Sequence, residues 1–351
     1  MMRRDIMITR RGVLCGGATA LAASPAFSQA APSVTPELVD AANKEGKVVW
    51  YTSIELSMAG AIARSFMQAY PKIMVQTERS GAERVLQRLM QEYASDIHNA
   101  DVIESSDITS FELFKDKGWL AQFLPEEVKQ LWPAEERDSD GHYATVRATL
   151  NTMGVNTDLI KSAGLPKAYA DLLRPEWVGK LVKASPNYSG VVAVSTYILV
   201  QTIGWGFFEK LARQQVMQVQ SAAEPPKVIS QGERPVAVDG GEYVFLNYKH
   251  KGNPIDAIYP LEGSPLISGP AAATKDAPHP NAARLYTSYL FSLQAQQMMV
   301  DQIDLRSFHP GIKEPAGRAK LADLKLLRAS PQALAAGVEE TKKKYTSIFS
   351  V

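Results

Sequence analysis

Five short stretches hold the residues whose types could grip a ligand: Thr52–Ser57, Ser80–Gly81, Ser105–Asp107, Ser185–Gly190 and Asp239–Tyr243. They are crowded with Ser, Thr, Asn and Gly. Small hydroxyl side chains and glycines let a polar or anionic group come close to backbone N–H donors at a helix start. The same residue types are favoured as ordinary N-caps, so any one loop is ambiguous, whereas five in corresponding positions favour a site. The contacts expected from them are Thr52, Ser53, Ser80, Gly81, Ser106, Asn187, Ser189 and Gly190. Arg79 and Arg147 are candidate charge partners, since Arg forks two hydrogen bonds onto a carboxylate or phosphate; each could equally be a surface or bridging residue. Tyr188 and Tyr243 could stack on a ligand or hydrogen-bond to it, although packing is the commoner use of such tyrosines. Asp239 and Glu242 suit an anion badly and suggest an added hydroxyl or ammonium group.

Catalytic signatures are missing. The chain has no G-x-S-x-G elbow and no H-E-x-x-H helix, and His98, His142, His250, His279 and His309 are scattered. A secreted hydrolase is therefore the remote reading: no catalytic residue, resident metal or cofactor is expected. His279, between Pro278 and Pro280, reads as structural.

The elements that would position these loops alternate between strand and helix. Thr35-Pro36 starts a helix that Gly46 ends, and the apolar run Val48–Tyr51 follows as a buried strand, Trp50 in the core. Helices are expected over Ala61–Ala69 and Ala82–Tyr93, with strands at Ile73–Thr77 and Ala100–Ile103. Tyr143–Val155 reads as extended chain. A second unit then has strands Leu181–Ala184, Val236–Val238 and Ile255–Tyr259, with helices over Val191–Thr202 and Gly240–Lys249. Pro260–Gly269 reads as irregular, and helices Pro280–Ser292 and Gln294–Gln302 precede a last one capped by Ser330. Two open α/β sheets place a ligand beyond the carboxyl ends of their strands.

The N-terminus resembles an export signal over residues 1–30: Arg3, Arg4, Arg10 and Arg11, a weakly apolar stretch Gly12–Phe27, and small residues at Ser28-Gln29-Ala30. Thr9-Arg10-Arg11-Gly12 resembles a twin-arginine address, with an ordinary Sec signal as the alternative. Cys15, the single cysteine, follows Leu14 and is badly placed for lipidation. Setting aside that segment's four Arg and Asp5, 38 Lys+Arg and 37 Asp+Glu become 34 against 36, a balance of −2. Such a balance carries no electrostatic footprint for nucleic acid or anionic lipid, and no later run is long enough for stable membrane insertion.

In their order and spacing, the residues after this segment resemble the periplasmic solute-binding proteins of ABC importers, in the class of the ferric-ion-binding and thiamine-binding proteins. The resemblance rests on Val48–Ser53; on Ser80-Gly81 with Arg88, Leu89 and Glu92; on Ala100-Asp101-Val102, Asn156–Leu159 and Pro260–Pro265; and above all on Ala277–Ala283 with Ser292, Ala295 and Gln296. It implies a two-lobed type 2 periplasmic binding protein fold. Each lobe is a mostly parallel sheet flanked by helices, and extended crossovers at Tyr143–Val155 and Asp256–Ser264 join them. Lobe 1 is expected over 31–145 and 262–351, and lobe 2 over 146–261. It further implies a periplasmic, monomeric, non-enzymatic protein that closes on a small ligand and meets a membrane permease. In ferric-binding relatives two adjacent tyrosines open the helix after Val236–Val238; only Tyr243 stands here, beside Glu242. An iron site would have to use Glu55, Asp239, Glu242 and Tyr243. A small organic anion, phosphorylated or carboxylated, is the preferred ligand and ferric ion the alternative.

Overall fold

The computed structural model describes residues 33–351, so the expected export signal and Cys15 lie outside the described residues. The Thr35 side chain accepts the Leu38 amide and sets Pro36 in the first turn of α1 (Pro36–Glu45). Gly46 ends that helix at φ 68°, a left-handed turn that suits glycine, and delivers the chain into β1 (Lys47–Thr52). Alternating units follow: α2 (Leu56–Ala69), β2 (Met74–Arg79), α3 (Ala82–Ala94), β3 (Val102–Glu104), α4 (Ile108–Asp116) and α5 (Glu126–Leu131). The chain then crosses through β4 (Ala144–Leu150) and β5 (Met153–Asn156) into a second unit. That unit holds β6 (Leu181–Ala184), α6 (Gly190–Ile203), α7 (Trp205–Ala212), β7 (Met217–Val219), α8 (Glu224–Ser230), β8 (Val236–Ala237), α9 (Glu242–His250) and β9 (Ile255–Ile258). The return runs through β10 (Ser264–Ala273), α10 (Pro280–Phe291), α11 (Leu293–Ile303), β11 (Leu326–Leu327) and α12 (Pro331–Phe349).

Two sheets result. One runs β11-β10-β3-β1-β2, with β4 also paired to β10; the other runs β7-β6-β8-β5-β9. Parallel pairs β1–β2, β1–β3, β6–β7 and β6–β8 form the nucleus of each, as βαβ alternation requires. Both sheets are nevertheless mixed: β10 runs antiparallel to β3 and β4, and β5 antiparallel to β8 and β9. The lobe crossings are thus hydrogen-bonded strands, with Asn151 N bonded to Pro265 O at 3.0 Å and Thr152 N to Gly240 O at 2.9 Å.

One expectation needs correction, and two further features bear on the expected lobe bounds. Pro260–Gly269 is irregular only to Gly263; from Ser264 it belongs to the ten-residue β10, whose ladder with β4 absorbs Gly269 and Pro270 in a register shift. The expected boundary at 145/146 falls inside β4, which stays in the first sheet through Leu150. The last helix does not belong to the first lobe alone. Leu334 packs with Ile267 of β10 and with Val194 and Ile198 of α6, while Tyr345 is buried among Phe208, Leu211 and Leu181 of the second unit.

A glycine in that helix has a packing cause. A Cβ at Gly337 would lie 2.3 Å from the Tyr197 ring of α6. In an exposed helix Gly→Ala gains about 1 kcal/mol. Here Gly337→Ala is expected to destabilise the fold instead, by about 1–3 kcal/mol of overpacking, read as a lower denaturant midpoint at unchanged m-value.

Candidate functional site

The loops at the strand ends of the two units face each other. A Cβ built on Gly190, at the start of α6, would lie 3.3 Å from Ala82 Cβ and 3.4 Å from Ser106 Oγ. The N-terminal turns of α3, α4 and α6 therefore meet across the interface.

Behind Ser53 lies a buried ion pair. Glu104, fully buried at the end of β3, accepts from Thr52 Oγ1 at 2.6 Å, Ser53 N at 3.1 Å and Arg147 Nε at 2.9 Å. Arg147 Nη2 stands 2.8 Å from the same carboxylate and also reaches Ser53 Oγ at 3.3 Å, while Nη1 donates to Thr149 Oγ1 at 3.0 Å. Ser106 N donates to Ser53 Oγ at 2.9 Å. The structure so brings Thr52, Ser53, Ser106 and Arg147 together, but Arg147 spends its charge on Glu104 rather than offering it whole to a ligand. Sequence reasoning missed Glu104; an acid closing an apolar strand directly before Ser105-Ser106 was the available signal. Ser80 and Gly81 lie one strand further along, where Ser80 N bonds to Thr52 O at 3.1 Å and Gly81 opens α3 without a side-chain cap.

Arg79 is exposed, donates Nε to Ile54 O at 3.2 Å, and forms no salt bridge among the described residues. Its charge remains available. Tyr243, from α9, is half-buried; burial raises its hydroxyl pKa, with Arg147 and Arg79 pulling it down and Glu55 and Glu104 pushing it up. It lines a cleft of about 490 Å³ with Glu55, Ser57, Lys227, Asn247 and Lys251. Asn187, Tyr188, Ser189 and Gly190 line a separate cavity of about 330 Å³ with Asp107 and Lys342. Tyr188 is 65% exposed there, and Asn187 Nδ2 is held by Thr346 Oγ1 of α12 at 2.7 Å. Ser189 caps α6, accepting Val192 N at 3.5 Å.

The acids expected of an iron site are otherwise employed. Glu55 caps its own helix, accepting Ser57 N at 2.9 Å and Met58 N at 3.3 Å; burial opposes its ionisation, but these bonds hold its pKa below the ordinary value. Asp239 is buried against Lys183, Nζ at 2.8 Å, and accepts Ala184 N at 2.9 Å. Glu242 is fully buried between Arg306, at 2.6 Å, and Arg318, at 3.2 Å, and accepts the Tyr259 hydroxyl. Asp239 and Glu242 therefore give no reason for a ligand hydroxyl or ammonium, correcting that inference. Among the described residues no three His, Cys, Asp or Glu side chains gather as a metal site. His279 is structural, its Nδ1 2.8 Å from Asp101.

Residues 98–323 match the family of bacterial extracellular solute-binding proteins. The chain belongs to that family. It is thus the solute-capturing component of an ABC importer, and which solute it carries is a separate question. An uncharacterized protein of Haemophilus influenzae is 22% identical over 280 residues, 75% of this chain and 78% of that one. Among solved structures, iron-bound HitA from Pseudomonas aeruginosa has a TM-score of 0.74 at 20% identity, covering 85% of this chain and 99% of that chain. AfuA from Actinobacillus pleuropneumoniae, with exogenous fructose-6-phosphate bound, has a TM-score of 0.78 at 20% identity, covering 88% and 99%. At such identity these likenesses concern the two-lobed fold of this solute-binding protein.

Proposed function

We propose that this solute-binding protein works as a monomer in the periplasm, exported by the Arg10-Arg11 signal, and carries a small organic anion to its permease without chemically altering it. The observation that carries the ligand reading is the fate of the four residues an iron site would need. Glu55 caps a helix, Asp239 and Glu242 sit in internal ion pairs, and Tyr243 alone is left. A hard trivalent ion needs several anionic oxygens, whereas the cleft holds Lys227, Lys251 and the Tyr243 hydroxyl, its pKa raised by burial, and Arg79, which forms no salt bridge among the described residues, is near enough to pull that pKa down. A neutral phenol beside a free cation suits a phosphate or carboxylate. AfuA, of similar fold, holds a sugar phosphate.

The test is a thermal-shift series on metal-stripped protein with fructose 6-phosphate, citrate, inorganic phosphate and ferric ion. Ligand at 100 times its Kd should stabilise the native state by about 2.7 kcal/mol. At least one organic anion is expected to raise Tm with chelator present, and to be recovered intact afterwards. Arg79→Gln should weaken that anion by about tenfold or more, the worth of a charge-assisted hydrogen bond. A shift with ferric ion alone, abolished by Tyr243→Phe, would overturn the reading.

A further inference from the structure

The hydrogen bonds at Ser53 fix the polarity of its hydroxyl. A serine oxygen offers two lone pairs and one proton. One lone pair takes the Ser106 amide at 2.9 Å and the other takes Arg147 Nη2 at 3.3 Å. Neither donor can turn away: the Ser106 amide opens the loop into α4, and Arg147 is clamped through Nε and Nη2 on the fully buried Glu104. No acceptor among the described residues takes the Ser53 proton. The side chain is half-buried; its partner Ser106 lines a cavity of about 320 Å³, and Glu55, two residues on, lines the cleft of about 490 Å³.

We infer that Ser53 is a one-way donor, polarised by Arg147 and the Ser106 amide, that selects an unprotonated oxygen of the ligand and rejects an ammonium or amide N–H at that point. Arg147 and Glu104 are then positioning residues: they set the direction of the Ser53 proton and leave ligand contact to the hydroxyl. A guanidinium donating into the oxygen withdraws electron density and strengthens the O–H as a donor, as in any charge-assisted chain. The inference rests on the small-anion reading for its ligand class, but its geometry can be tested without any ligand.

The experiment places a thiol where the hydroxyl stands. Ser53→Cys in a Cys15→Ser background carries a single cysteine, and the pH dependence of its alkylation by iodoacetamide gives its pKa. Two donors aimed at the sulfur favour the thiolate, so the value should fall at least about one unit below the ordinary value of about 8.5. Removing the ion pair as a pair, with Glu104→Gln and Arg147→Met, avoids leaving an uncompensated buried charge and should return the value to about 8.5 or above. A thiol pKa at or above about 8.5 in the first variant would overturn the inference whether or not the paired variant folds. Fructose 6-phosphate, citrate and inorganic phosphate are then tested for protection of the thiol. Protection by at least one of these anions is the expected result; the serine protein itself should give no thermal shift with ammonium chloride, and an ammonium shift lost in Ser53→Ala would overturn the inference. A lowered pKa with no protection by any of the three anions supports the donor geometry and sinks the small-anion reading instead.

Discussion

An Ala82→Cys/Gly190→Cys double variant, built on Cys15→Ser, is expected to form a disulfide across the lobes under mild oxidation and to hold the cleft shut. The ideal Cβ at Gly190 lies 3.3 Å from Ala82 Cβ. Disulfides place these atoms about 3.5–4.5 Å apart, so a shift of a few tenths of an ångström suffices. Gly190 does not have positive φ, so its backbone accepts a side chain. The bridge closes a loop of roughly 100 residues, for which chain entropy predicts about 4.7 kcal/mol; engineered bridges deliver less, and about 2–4 kcal/mol is expected. That corresponds to a Tm rise of about 5 °C, reversed by dithiothreitol. The functional effect is larger. A lobe that cannot swing away cannot exchange its solute, so dissociation of a preloaded anion should slow by at least about an order of magnitude until reductant is added. A ligand shifts closure only by its preference for the closed form, so cross-linking should also be faster with a bound anion than without. Failure to cross-link even with ligand present would mean that the two helix starts do not meet in solution.

The sequence makes the α/β alternation legible because each βαβ unit carries its own signals: Thr35 and Gly46 around α1, and the apolar run of β1. Where it fails, the cause is long-range. Gly263, Pro265, Gly269 and Pro270 are turn formers by local propensity, yet β4 lies alongside, and the pairing of Leu266 to Leu150 and Ile267 to Thr149 overrides them. The site divides the same way. Ser53, Ser106 and Gly190 could be nominated because small polar residues mark helix starts, a local rule. What the acids do could not be read. Asp239 meets a lysine 56 positions away, inside the buried strand β6, and Glu242 meets arginines 64 and 76 positions on, in a stretch with no periodic pattern. An ionised side chain is interpretable only with its counter-charge, and folding alone chooses that partner.

Glu242 turns this into the second large effect. Glu242→Ala would strip the counter-charge from Arg306, 1% exposed, and from Arg318, 4% exposed at its side chain. Breaking a buried pair from one side costs about 3–5 kcal/mol, because the abandoned cation stays desolvated. Glu314 stays 3.1 Å from Arg306 Nη1, and Ala319 O accepts from it at 2.7 Å, which places the loss near the lower figure. Tm should fall by about 5–10 °C. If Glu242 were an iron ligand instead, the variant would lose ferric binding at little cost in stability. The pH dependence separates the two cases further. Burial pushes the Glu242 carboxyl up, but Arg306 and Arg318 overcome it and hold the pKa below its ordinary value. The stabilisation is therefore complete above the unfolded-state value of about 4.3 and is lost as pH falls through the lower folded value. Urea midpoints of the wild type and Glu242→Ala should differ by a constant free energy from neutral pH down to about pH 5 and draw together below about pH 4. A gap unchanged through that acid range would mean that the loss comes from the missing side-chain volume and not from the charge.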